Sequence, residues 1–182
     1  RWLAAGAPGI PALGRAVDPE RMGVGGHSMG GGCAILAAAR EPWIRTVATA
    51  AAARTRPSAL EAAGLLAVPT LFLAAERDWV APVSHHQRPL YEAVREGTSA
   101  QLRVIRGGTH AGFVDRVGLW GVARHRRRRL GRAEQLELSA ETISGWLLGV
   151  LGGREDLWSS LWDPERAARA GVRLEARGAP GI

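Results

Sequence analysis

The chain has 182 residues, 46% hydrophobic and 23% charged, which is enough apolar side chain for one core and excludes wholesale disorder. Its formal net charge of +7 rests on 24 basic residues that are all arginine, beside abundant alanine and glycine and no asparagine. That is the imprint of GC-rich coding, so no nucleic-acid partner is expected from the charge alone. No apolar run approaches the ~18 residues a bilayer span needs, and the single cysteine, Cys33, excludes an intrachain disulfide framework and a multi-cysteine metal site.

Residues 1–20 are rich in Gly, Pro and Ala and read as loop, without the apolar stretch of a signal peptide. Arg21-Met22-Gly23-Val24-Gly25 reads as a short strand, and residues 29–40 as a helix stopped by Glu41-Pro42. Residues 43–50 read as a second strand through Ile44 and Val47. Residues 57–64 read as a short helix opened by proline and closed by glycine. Thr70-Leu71-Phe72-Leu73-Ala74 is a continuous apolar run, suited to a parallel strand buried on both faces.

Residues 89–96 follow as a helix, and 101–105, mixing polar with apolar, as a more peripheral strand. Residues 133–151 form the clearest helix, with Leu136, Ala140, Ile143, Leu147 and Val150 recurring at steps of four and three. Strands alternating with helices predict one α/β domain over residues 1–182, with a parallel sheet of about four core strands flanked by helices. Residues 120–182 read as a helical extension, of which 155–182, with Trp158, Trp162 and Pro164, would pack back on the domain. The one dense charge run, 124–129, reads as solvated.

Gly26-His27-Ser28-Met29-Gly30 is a G-x-S-x-G pentapeptide between a predicted strand and a predicted helix, the context of a nucleophile elbow. The serine must sit on a sharp turn where strand and helix pass closely, so the positions two before and two after it must be small; Gly26 and Gly30 satisfy that. A phosphate cradle at the helix start is the competing reading, but no lysine follows and G-x-G-x-x-G does not fit the register.

A serine hydroxyl needs a base, and the base needs an orienting acid. The third strand runs out into Glu76-Arg77-Asp78, and the fourth into Gly107-Gly108-Thr109-His110. Both loops lie beyond carboxyl ends of strands, where the sites of open α/β sheets lie. Ser28, Asp78 and His110 are therefore the candidate triad, with Glu76 as the alternative acid. His85 and His86 read as surface or helix-start residues, and His27 as lining the acyl pocket. Cys33 reads as a small buried residue and not a rival nucleophile. No ligand set has metal spacing, so the chemistry should need neither metal nor cofactor.

With these residues in view, the chain resembles an α/β-hydrolase of the dienelactone-hydrolase-like group, most similar within it to bacterial cutinases and polyester (PET) hydrolases. The resemblance is carried by Val17-Asp18-Pro19-Glu20-Arg21-Met22, Gly26-His27-Ser28-Met29-Gly30-Gly31-Gly32 and Val68-Pro69-Thr70-Leu71. It continues in Asp78-Trp79-Val80-Ala81-Pro82-Val83, His86, Pro89 and Tyr91, and ends at Gly107-Gly108-Thr109-His110-Ala111-Gly112-Phe113. It covers residues 17 to 115. It implies acyl transfer on a small-molecule or polymeric ester, with Ser28 as nucleophile, His110 as base, Asp78 as orienting acid and the Met29 N–H in the oxyanion hole. It also implies that His27, Trp79 and Val80 contact substrate.

Two departures qualify the resemblance. The family has upstream strands and a loop giving the second oxyanion N–H, and this chain begins just before the nucleophile strand. The expectation is therefore an N-terminally incomplete α/β-hydrolase fold, with that strand at an exposed sheet edge through which a homodimer could form. Residues 49–53 also lack the aromatic clamp that the polyester hydrolases carry in a comparable loop. The alternative function is a catalytically impaired fragment acting as an association module. Dienelactone hydrolase proper would carry cysteine in place of Ser28. Secretion would be expected of a polyester hydrolase.

Overall fold

A computed structural model describes residues 5, 8–10, 12, 16–115 and 130–178. The arginine run at 124–129 and most of the N-terminal loop lie outside the described residues. Five strands form one sheet: β1 (Met22–His27), β2 (Ile44–Ala50), β3 (Thr70–Ala75), β4 (Ala100–Ile105) and β5 (Val172–Arg177), side by side in chain order. The first four are parallel, and β5 lies antiparallel on β4 with Arg103 opposite Leu174.

Helices cover both faces. On one side lie α1 (Met29–Ala38), α2 (Ala59–Ala63) and α3 (Gln87–Ala93), and on the other α4 (Arg132–Gly152), α5 (Glu155–Leu161) and α6 (Pro164–Arg169). Side chains alternate along β3, so Phe72 and Ala74 join Ile35, Leu66 and Leu90, whereas Leu71 and Leu73 face the α4–α6 layer. The second layer centres on Trp146, Trp158 and Trp162, and the Trp146 indole donates to Thr46 Oγ1 at 2.8 Å. This is the three-layer arrangement implied by the continuous apolar run of the third strand, read as a parallel strand buried on both faces.

Three expectations are corrected here. The fourth strand is not peripheral: every residue of β4 is buried, because β5 pairs along its outer edge, the Leu161 carbonyl of α5 takes Gln101 and Arg103, and Ala167 of α6 packs with Ile105. β5 lies within residues 120–182, read as a helical extension, although Val172, Leu174 and Ala176 alternate with Arg173, Glu175 and Arg177 at the period of a half-buried strand.

The third correction concerns α4. Its buried stripe is Gln135, Ser139, Thr142, Trp146 and Gly149, one residue before the apolar series, and Ala140 is exposed. Small residues on that stripe allow close approach: a Cβ at Gly149 would lie 3.2 Å from Trp158. The aliphatic residues Ile143, Leu147 and Val150 then seal the rim of the core.

Candidate active site

The site is assembled where β1, β3 and β4 end. β1 runs into Ser28, whose backbone takes φ 56° and ψ −121°, a conformation non-glycine residues rarely hold. The next strand ends in a second such residue, Ala51 at φ 46°, and the two turns are tied together. Ser28 N–H donates to the Ala50 carbonyl at 2.9 Å, and Ala53 N–H donates to the Ser28 carbonyl at 2.9 Å.

Ser28 is the N-cap of α1, yet its side chain makes no capping bond, so the hydroxyl is left for other chemistry. The Met29 N–H is at the first turn, where helix donors have no intrahelical partner. Crowding explains the glycines, though not all as expected. A Cβ at Gly26 would lie 2.3 Å from the Gly30 carbonyl oxygen, and one at Gly32 2.5 Å from that of Ala53; Gly30 itself has open space. The small-residue demand thus falls on Gly26 and on the helix face pressed against residues 51–55.

Beyond β3, Asp78 is buried, and its Oδ1 accepts from the N–H groups of Val80 at 2.9 Å and Ala81 at 2.7 Å. Its Oδ2 lies 2.7 Å from Nδ1 of His110, which opens a short 3-10 turn, His110–Phe113, beyond β4. With Nδ1 donating to the carboxylate, the neutral imidazole carries its lone pair on Nε2. Glu76 is engaged elsewhere: its Oε2 accepts the Gly107 N–H at 2.9 Å and braces the start of the His110 loop.

His27 packs its ring 4.7 Å from that of His110 and 5.9 Å from Phe113. Burial, reinforced by His110, holds the His27 imidazole below its ordinary pKa. Its Nε2 is buried without a hydrogen-bond partner among the described residues. Around these groups Met29 (70% exposed), Trp79 (88%) and Val80 (63%) are apolar and open to solvent. Cys33 is exposed, which corrects the expectation of a buried thiol; α1 turns Gly31, Gly32, Ala34 and Ile35 toward the sheet, and position 33 falls on the opposite face.

Two residues carry contacts at the site that no sequence reading gave. His86 sits at a helix start, one of the two readings made of it, as the half-buried N-cap of α3, and its Nδ1 accepts the Arg54 N–H at 3.0 Å. Burial lowers its pKa, while Asp78 pulls the other way. Beside it, Gln87 Nε2 donates to the Ala52 carbonyl at 2.7 Å, so α3 grips the loop beneath Ser28. Gln135 is the second. From α4 its amide donates to the Thr109 carbonyl at 2.9 Å and accepts the Thr109 N–H at 3.0 Å. No local pattern could have announced it.

Among the described residues no group of three or more His, Cys, Asp or Glu side chains could hold a metal ion, and no helix is long and apolar enough to cross a membrane.

Residues 5–126 match the family model of PET hydrolase-like proteins. The chain is 31% identical over 94 residues to cutinase est1 of Thermobifida alba, a stretch covering 52% of this chain and 30% of that protein. It is 34% identical over 95 residues to cutinase 1 of Thermobifida cellulosilytica, covering 52% and 34%. It is also 34% identical over 95 residues to bis(hydroxyethyl) terephthalate hydrolase of Streptomyces coelicolor, covering 52% and 29%. The matched stretch is thus about a third of the length of these relatives.

Proposed function

The chain belongs to the PET hydrolase-like family, and on that premise we propose that it hydrolyses carboxylic esters, short-acyl or aromatic and including polyesters, through an acyl-enzyme on Ser28. The observation that supports this most is the 2.7 Å contact of His110 with an Asp78 whose other oxygen is held by two backbone N–H groups. An imidazole anchored in that way presents one nitrogen, in one tautomer, as a base.

In the proposed cycle Ser28 Oγ bonds to the ester carbonyl carbon while its proton passes to His110 Nε2. The carbonyl oxygen becomes an oxyanion facing the Met29 N–H, at the positive end of α1. Collapse breaks the carbon–oxygen bond of the alcohol, which leaves with the proton from His110. Water then gives its proton to His110 and attacks the acyl carbon, and Ser28 recovers its proton as the acid departs.

Met29, Trp79 and Val80 offer exposed apolar contact to an acyl or aromatic group. The name of the Streptomyces relative supports an aromatic acyl group. The test is hydrolysis of p-nitrophenyl acetate and butyrate by the chain and by Ser28→Ala. Turnover lost in the variant is the expected result; equal rates in both would sink the proposal.

A second reading, association with another chain or a second copy, is favoured by one feature. β1 lies at the edge of the described sheet with Met22, Val24, Gly26 and His27 only partly buried and Gly23 and Gly25 buried less than they. A folded chain that fails to label with a serine-directed fluorophosphonate and sediments as a dimer would favour it over the enzyme.

A further inference from the structure

Arg103 presents a charge-balance problem remote from Ser28. It lies in the middle of β4 and is 5% exposed. Its Nη1 donates to Gln101 Oε1 at 3.1 Å and to the Leu161 carbonyl at 2.7 Å, and Gln101 Nε2 donates to the same carbonyl at 3.1 Å. Both hydrogen bonds use Nη1. That leaves the Nε–Nη2 edge, the side of a guanidinium that grips an oxyanion with two parallel bonds. Nε is buried with no partner among the described residues, and so is Trp162 Nε1, one residue beyond the Leu161 carbonyl.

No carboxylate of the described residues balances the charge. All 17 acidic residues of the sequence lie at described positions, since 1–15, 116–129 and 179–182 contain no Asp or Glu. None of them forms an ion pair with Arg103. Glu175, on the paired strand, is taken by Arg88 at 2.5 and 2.8 Å. Asp163 is spent on α6, where its Oδ1 accepts the N–H groups of Glu165 and Arg166 and its Oδ2 faces Arg169 at 4.0 Å. The charged neighbour that bears on Arg103 is Arg166, of the same sign. Burial and Arg166 together push the Arg103 pKa down only to about 10, so the guanidinium stays charged near neutrality.

A buried charge without a counter-charge is among the most unfavourable arrangements a fold can hold, and the field of Arg166 adds to its cost. We propose that the Nε–Nη2 edge of Arg103 binds a small oxyanion where β4 meets the end of α5, with Arg166 adding positive charge from α6. The ligand supplies the missing negative charge and fastens the C-terminal helices to the sheet.

The test is a titration of the full chain with inorganic phosphate at pH 7 and constant ionic strength, followed by 31P line width and by Tm. Ser28→Ala is included so that phosphate held beneath α1 is recognised. The expected result is a saturable rise in Tm and a broadened phosphate signal, equal in wild type and Ser28→Ala. Arg166→Gln, an exposed substitution, should weaken the apparent phosphate affinity at least tenfold. Arg103→Met should abolish the response, and without phosphate it should melt no lower than wild type, because it removes an unbalanced charge.

Acetate in place of phosphate should also saturate, which would support the oxyanion class and extend it to carboxylates. The proposal is overturned by a non-saturating response, by a response that survives unchanged in Arg166→Gln and Arg103→Met, or by chloride at equal ionic strength raising Tm as far. Should Arg103→Met fail to fold, Arg166→Gln still decides.

Discussion

Gln135 holds Thr109 from both sides, donating to its carbonyl and accepting its N–H, and Thr109 is the residue immediately before His110. The clamp ties the second helical layer to the base of the candidate triad across 26 residues of sequence. Its fit is close, since a Cβ at Gly112 would lie 1.8 Å from Gln135 Oε1. Gln135→Leu leaves both backbone groups of Thr109 unpaired and should cost about 2–4 kcal/mol of stability. If Gln135 positions His110, kcat at a temperature far below Tm should fall as well with KM little changed. Gln135→Glu keeps one of the two bonds and should recover part of the rate.

Asp78→Asn is expected to fold and to lose activity by about 10⁴-fold. The amide has one oxygen, and the N–H groups of Val80 and Ala81 claim it. Its NH2 group then faces His110 Nδ1, which forces the imidazole proton onto Nε2 and removes the base. Near-normal kcat with p-nitrophenyl butyrate would remove Asp78 from the proposed machinery. Glu76→Gln should retain turnover, because Gln still offers an oxygen to the Gly107 N–H.

The two glycines of the pentapeptide should respond differently to alanine. Gly26→Ala drives a Cβ into the Gly30 carbonyl and should lower stability by several kcal/mol or prevent folding. Gly30→Ala meets nothing within 4 Å and should leave stability unchanged or raise it by up to about 1 kcal/mol. Chemical unfolding of both variants checks this directly.

Stability should rise as pH rises toward and through the ordinary histidine pKa of about 6.5. His27 and His86 are both held below the ordinary histidine pKa, chiefly by burial. Below about 6.5 the unfolded chain therefore binds protons that the folded chain resists. Their contribution is complete above the unfolded value and is lost as pH falls through the folded values. Urea midpoints measured across that rise in pH should slope less in His27→Gln, and a flat profile in wild type would contradict the burial of both rings.

Cys33 stands on the outward face of α1. Iodoacetamide should label the folded chain fully under native conditions without reducing ester turnover, as should Cys33→Ser. Loss of activity on labelling would bring the thiol back into consideration as a functional group.

The sequence by itself marked the candidate site through local pattern. Gly26-His27-Ser28-Met29-Gly30 between an apolar strand and a helix, Asp78 past the third strand and His110 past the fourth could be placed from neighbours a few residues away. The same is true of the four parallel strands, most plainly the third, whose apolar run is a local signal. What only the tertiary structure decided depends on groups far apart in the chain. His110 meets Asp78 and not Glu76 because the Gly107 N–H has already taken Glu76, a choice made between two loops. Gln135 reads as a polar interruption in a helix until Thr109 is seen against it. The buried face of α4 follows small residues that admit Trp158, which outweighs the aliphatic series one position later. Arg103 reads as one of two polar residues of a peripheral strand until β5 pairs beside it and the end of α5 packs on it, burying its charge. In each case the deciding energy is a contact between elements, and periodicity within one element carries no record of its partner.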